Sequence, residues 1–202
     1  MIDFKKEKMR ICFFASHGGS NMQAILDSIE SGILNAQASL LITNNSQSYA
    51  LERAKIAGVP AYHLSGKTNP LDLNEVIIEK LRTHNVNIIV LAGYMKKLDD
   101  SIIDFVEGRV LNIHPALLPK FGGAGMYGMN VHTAVIEAGE KVSGATVHLV
   151  NNHYDEGRIL NQIECPVLAG DSPEELAERI LKIEHEIYTD TLIKITNGEI
   201  II

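Results

Sequence analysis

The stretch Asn87-Ile-Ile-Val-Leu-Ala92 is apolar without interruption after its first residue. Residues in a strand alternate between two faces, so such a run makes sense only where both faces of a sheet are covered. That condition points to a parallel sheet layered between helices. The flanking pattern agrees: short apolar runs alternate with segments of helical spacing through the first half of the chain. Met9-Arg-Ile-Cys-Phe-Phe-Ala15 reads as a strand, and Met22, Ile25, Leu26 and Ile29 as one face of a helix stopped near Gly32. Ser39 to Thr43 is the next strand, Leu51 to Ala57 a helix ended by Gly58, Val59 to His63 a short strand, and Leu73 to Leu81 a helix. Strand–helix–strand units of this kind take right-handed crossovers.

The texture changes after Lys120. Phe121-Gly-Gly-Ala-Gly-Met-Tyr-Gly-Met129 holds too much glycine for a regular element and is expected to be a loop leading into a helix from Val131 to Ala138. Ala145 to Val150 and Ile159 to Cys165 are β-type runs joined by a polar turn too short for a helix, hence an antiparallel pair. Ser172-Pro-Glu-Glu175 is a capping box, and Leu176, Ile180, Ile183 and Ile187 form the stripe of a long helix closed by Asn197-Gly198. The expected fold class is α/β: a Rossmann-like, mostly parallel twisted sheet flanked by helices, an antiparallel pair near the C-terminal end, and a long C-terminal helix. At 202 residues one domain is expected, with residues 9–92 as one half and 93–202 as the other.

A net charge of −7 disfavours a nucleic-acid binder. Cys12 and Cys165 lie far apart without ligand spacing, which suits a reducing compartment, and no metal site is expected. The N-terminus shows no secretory pattern, and no apolar run approaches the roughly 18 residues of a membrane span. A cytoplasmic protein without membrane or nucleic-acid partners is the expectation.

Four constellations carry chemistry. Ser16-His-Gly-Gly-Ser-Asn21 is a glycine-rich turn between the first strand and helix, suited to hold an anion at free amides; it reads equally as a tight turn with Ser20 as N-cap. It has neither the dinucleotide spacing nor the lysine of a P-loop. In Arg109-Val-Leu-Asn-Ile-His114, Asn112 and His114 share one strand face, and Pro115 ends the strand there. Ligands of open α/β sheets sit at such strand ends. The pair is either a catalytic dyad or a core histidine with a polar neighbour. Asp155, in the last β-turn, gains a role if the hairpin brings it to His114, where a carboxylate raises the imidazole pKa. Glu184 lies at the margin of the apolar stripe of the last helix, as a boundary residue or a grip for a substrate amine or hydroxyl. The remaining histidines lack ligand spacing.

Together these residues resemble the glycinamide ribonucleotide formyltransferase family, from about Met9 to the end. The motifs are Gly18-Gly-Ser-Asn21, Leu91-Ala-Gly-Tyr-Met95, Asn112-Ile-His-Pro-Ala-Leu-Leu-Pro-Lys120, His148 with Asp155, and Ala169-Gly-Asp-Ser172 with Glu184-His185. The resemblance implies formyl transfer from 10-formyltetrahydrofolate, as co-substrate, to the amine of glycinamide ribonucleotide in purine synthesis. It implies that Gly18, Gly19, Ser20 and Asn21 bind the phosphate, that Glu184 contacts the ribonucleotide, and that Asn112, His114 and Asp155 are catalytic. Folate is expected between Met95, Lys96, Lys97 and Leu98 and the turn starting at Asn151, with Asn112 nearby and Lys67 as the basic residue after the third strand. Protonated His114 and Asn112 would stabilise the oxyanion while Asp155 keeps the imidazole charged. The chain is expected to act as a monomer or homodimer on small molecules.

The chain also departs from the family pattern. His17 stands where the family usually has glycine, Lys96-Lys97 replaces the usual Arg-Ile, and the loop 121–130 is longer and richer in glycine and methionine. Lys96, Lys97 and Lys120 are candidates for the anionic folate tail or plain surface lysines. Two other functions compete: hydrolysis of formyltetrahydrofolate, and a phosphosugar-binding module with no chemistry. Relatives that act on tRNA or hydrolyse the folate carry a further domain, which 202 residues are not expected to hold.

Overall fold

The computed structural model describes residues 2–69 and 71–202. Among these residues the chain runs β1 (Met9–Phe14), α1 (Ser20–Glu30), β2 (Ala36–Thr43), α2 (Ala50–Ile56), β3 (Ala61–His63), α3 (Leu73–Thr83), β4 (Ile88–Leu91), α4 (Asp100–Phe105), β5 (Val110–His114), α5 (Met129–Glu137), β6 (Val142–Leu149), β7 (Ile159–Pro166) and α6 (Pro173–Thr196). The strands form one seven-stranded sheet in the order β3-β2-β1-β4-β5-β6-β7. From β3 to β5 the neighbours are parallel; β5, β6 and β7 pair antiparallel. This is the expected class.

Alternation along β1 shows why the sheet is layered. Ile11 and Phe13 enter the core under α1 and α6, beside Met22, Ile25, Ile180, Ile187 and Leu192. Cys12 and Phe14 enter the opposite core under α3 and α4, beside Ile77, Leu81 and Ile102. Burying a side chain such as Phe13 contributes about 2 to 3 kcal/mol, so the continuous apolar strands commit the chain to cover both faces. Ser172 and Glu175 make the reciprocal capping box at the start of α6. Among the described residues no helix is long and apolar enough to cross a membrane.

Three local features differ from the expectation. Helix α4 was not legible in the periodicity because it is only six residues long; Asp99 caps it by accepting from the Ser101 amide. Strand β6 begins at Val142 rather than Ala145, and β2 at Ala36 rather than Ser39. Ser20 is not the N-cap of α1. Gly19 occupies that position at φ 67°, and Ser20 is the first helical residue.

The strand order reverses direction between β1 and β4, and their following loops diverge there. Ser16 ties the two loops together: its amide donates to the Gly93 carbonyl at 3.0 Å, and its hydroxyl accepts from the Met95 amide at 2.8 Å. The same hydroxyl donates to Asn44 Oδ1 at 2.6 Å. Below the next strand, the buried Tyr188 hydroxyl of α6 donates to the Leu111 carbonyl at 2.8 Å and lies 3.1 Å from that of Leu91. The C-terminal helix is thereby locked against β4 and β5 beneath the strand ends.

Candidate functional site

A cavity of about 610 Å³ opens at these strand ends. Asn112, His114, Asp155, Glu184, Asn21, His17, Met95, Lys96 and Lys97 all border it, as does the loop Gly123 to Gly128. Residues separated by most of the chain thus share one space. The volume lies within the range of about 300 to 1,000 Å³ usual for small-molecule sites.

Strand register sets the first part of the geometry. Asn112 pairs with His148 across the β5–β6 ladder, and His114 with Thr146. Residues directly opposite on one face are neighbours, so the Asn112 amide meets the His148 ring, Nδ2 to Nε2, at 3.2 Å. His148 Nδ1 lies 2.9 Å from the Leu149 carbonyl, which can only accept. Nδ1 therefore carries the hydrogen, Nε2 is left to accept, and the Asn112 amide donates. One N–H of Asn112 is used in this way, and the second is available to the cavity.

The β6–β7 turn supplies Asp155, whose backbone is left-handed at φ 59°. Its Oδ2 lies 3.6 Å from His114 Nδ1 and its Oδ1 3.5 Å from His148 Nε2. The Gly123 amide donates to Oδ2 at 2.9 Å. That approach depends on Gly122, where a Cβ would lie 2.6 Å from Leu118 Cδ2 and 3.2 Å from Asp155 Cβ. Burial pushes the Asp155 carboxyl upward, but His148 and His114 in their protonated forms, together with the Gly123 amide, outweigh it and hold the group below its ordinary value.

His114 is 3% exposed. Its Nε2 donates to the Phe121 carbonyl at 2.7 Å. Phe121 is itself held at φ 55°, an uncommon conformation for a bulky side chain. The expected upward shift of the imidazole is not what this environment produces. Burial lowers the His114 pKa, the Asp155 charge and the Phe121 carbonyl oppose that, and burial prevails. A desolvated imidazolium has lost its hydration, and one carboxylate at 3.6 Å does not fully replace it. Both ring nitrogens are also engaged here, so an N–H from His114 reaches the cavity only if the Phe121 carbonyl is exchanged for another acceptor.

At the same cavity, Asn21 Nδ2 donates to Glu184 Oε2 at 2.8 Å. Burial pushes the Glu184 carboxyl up, and the Asn21 bond opposes it. Of the glycine-rich turn, His17 and Asn21 border the cavity, and Gly18, Gly19 and Ser20 do not. Gly19 is required where it stands, because φ is +67° and a Cβ would meet Ala50 Cβ at 2.8 Å. The amides of Gly18 to Met22 make no hydrogen bond among the described residues, as expected at a helix start.

A second cavity of about 850 Å³ adjoins the first and shares Tyr94, Lys96 and Lys97 with it. Leu98 and Lys67 border it, together with apolar Leu73, Ile77 and Ile102. Lys67 therefore comes together with Lys96 and Lys97. Lys97 Nζ also donates to the Asn152 carbonyl at 2.9 Å, joining the loop after β4 to the β6–β7 turn. Asn151 borders neither cavity; its Oδ1 accepts from the His153 amide within its own turn. Lys120 is likewise outside both and pairs with Glu140 at 2.8 Å. Sequence reasoning missed His132 and Tyr154 at the first cavity, and Phe121, whose carbonyl holds His114. His132 had no ligand spacing to betray it, yet it is 5% exposed and its Nδ1 has no partner among the described residues.

Residues 9–192 match the Formyl transferase family. The chain is similar to an Arabidopsis thaliana protein named phosphoribosylglycinamide formyltransferase, chloroplastic. Identity is 40% over 188 residues, covering 92% of this chain and 64% of that protein's length. The chain thus spans less than two thirds of its plant relative. A Haemophilus influenzae protein named phosphoribosylglycinamide formyltransferase is 37% identical, with 95% of this chain and 89% of that one covered. Among solved structures, glycinamide ribonucleotide transformylase 1 from Symbiobacterium toebii superimposes with a TM-score of 0.89 at 36% identity, covering 96% of this chain and 91% of that one. The single sheet covered on both faces, the β5 strand end carrying Asn112 and His114, and similarity along nearly the whole length agree: this chain belongs to the formyl transferase family.

Proposed function

We propose that this chain transfers the formyl group of 10-formyltetrahydrofolate to the amine of glycinamide ribonucleotide. The observation that carries the reading is the convergence of Asn112, His114 and Asp155 on one cavity that Asn21 and Glu184 also border. The names of the bacterial relatives, which this chain covers over most of their length, support the substrate. The adjoining cavity supports the donor: its apolar floor and three lysines suit an aromatic ligand with an anionic tail. The unpaired amides of Gly18 to Met22 at the start of α1 suit the ribonucleotide phosphate, and Glu184 its hydroxyls or amine.

In the reaction the amine nitrogen attacks the formyl carbon and the carbonyl oxygen becomes an oxyanion. The free N–H of Asn112 donates to that oxyanion. His114 joins it through Nε2–H once the Phe121 carbonyl withdraws, and Asp155 supports the positive imidazole. Collapse of the intermediate breaks the bond to N10 of tetrahydrofolate; the attacking amine gives up a proton and N10 gains one. An oxyanion donor is worth roughly 10² to 10³ in turnover.

The test is a formyl-transfer assay with each substrate omitted in turn, using the wild type, Asn112→Ala and His114→Ala. Transfer that needs both substrates and falls at least a hundredfold in each variant is the expected result. Formate release without ribonucleotide assigns hydrolysis instead, and ligand binding without turnover assigns a sensor.

A further inference from the structure

His17 has no role in the scheme above, yet it is the exposed residue of the glycine-rich turn that borders the catalytic cavity. We propose that its imidazole binds the phosphate of the ribonucleotide, a side-chain contact added to the backbone amides of the turn. This rests on the ribonucleotide reading.

The turn is built so that a side chain at position 17 costs nothing. The left-handed conformation is confined to Gly19, and neither His17 nor Gly18 adopts positive φ. The carbonyls of the turn are drawn away by the segment around α2: His17 O accepts from Ser48 Oγ at 2.6 Å and from the Ala50 amide at 3.2 Å, and Gly18 O from Arg53 Nε at 2.8 Å. Their acceptor capacity is spent there, whereas the donors from Gly18 to Met22 are unused. The first turn of α1 holds no acidic residue. An exposed imidazole that immediately precedes five unused amides in the chain adds a donor to them, and donors are what a phosphate requires.

A second observation points to a ligand at the same turn. Asn21 is 7% exposed, and its Oδ1 has no partner among the described residues although its Nδ2 is bonded to Glu184. A buried acceptor left open is costly unless a donor arrives. A sugar hydroxyl next to a phosphate supplies that donor, so the amides, the imidazole and Asn21 together fit a phosphosugar rather than a bare anion.

The test compares wild type, His17→Gly and His17→Gln by calorimetry with glycinamide ribonucleotide and with its unphosphorylated riboside. His17→Gly should weaken the ribonucleotide about tenfold, about 1.4 kcal/mol, and leave the riboside within twofold; His17→Gln, which keeps an N–H donor, should recover most of the loss. Equal losses for both ligands, no loss for either, or a wild type that binds neither overturns the proposal. Thermal melts of the variants check folding. Absence of formyl transfer in a wild type that binds the ribonucleotide defeats the transfer reading alone, because the calorimetric comparison still decides His17.

Discussion

Asp155→Asn isolates the electrostatic part of the site. The substitution keeps an oxygen to accept the Gly123 amide but removes a negative charge 3.6 Å from His114 Nδ1. With an effective dielectric of about 20, Coulomb's law gives about 4.6 kcal/mol for that pair, equivalent to about 3 pH units. The cavity mouth is open to water, so a shift of roughly 1 to 3 units is the working range. Burial already holds His114 below the ordinary histidine value, and without the carboxylate the midpoint should move lower still. At neutral pH the imidazolium population then falls at least about tenfold, and formyl transfer falls with it. The assay is an imidazole NMR titration of His114 in wild type and variant, paired with the pH dependence of kcat. A His114 midpoint that stays put or rises refutes the electrostatic reasoning. So does a variant whose turnover at neutral pH stays within about threefold of wild type while the midpoint drops, because the charge would then be irrelevant to catalysis.

Other consequences follow from the geometry. Gly19→Ala must force a Cβ against Ala50 at φ +67°, so it should lose about 1 to 3 kcal/mol in urea unfolding; Gly18→Ala, with nothing within 4 Å, should stay within about 0.5 kcal/mol. Tyr188→Phe leaves the buried carbonyls of Leu91 and Leu111 without their donor and should cost about 1 to 3 kcal/mol by the same measurement. Burial lowers the pKa of His114, His132 and His185, so the unfolded chain binds protons more readily than the fold. Their effect is to reduce stability as the pH falls through about 6.5 toward the folded values. Glu184, pushed up by burial, acts in the opposite sense: its stabilisation is present below the unfolded value and is lost as the pH rises through the folded one. A urea series from pH 7.5 to 5 should show net loss on acidification, and a flat or rising profile contradicts the histidine accounting.

Local pattern carried most of the architecture. Apolar runs such as Ile88–Leu91 can be satisfied only inside a covered parallel sheet, and a turn too short for a crossover fixes β6 and β7 as antiparallel. The capping box at Ser172 and Glu175 is a contact between near neighbours and is legible for that reason. The placement of Asn112 and His114 on one face at a strand end follows from the period of two and from Pro115. Tertiary structure decided what those side chains experience. His114 and Asp155 meet because β5 and β6 pair in one register and Gly122 lets the following loop pack against the aspartate. Burial then outweighs that carboxylate, which reverses the pKa direction expected from the motif. The Phe121 carbonyl on His114 Nε2, the unpartnered His132 Nδ1 and the cap at Gly19 rather than Ser20 depend on backbone paths through the loops. Residue type and spacing set which elements form and which faces they present; distance, desolvation and hydrogen-bond partners arise only when separate elements pack, so the charge state of the site belongs to the fold.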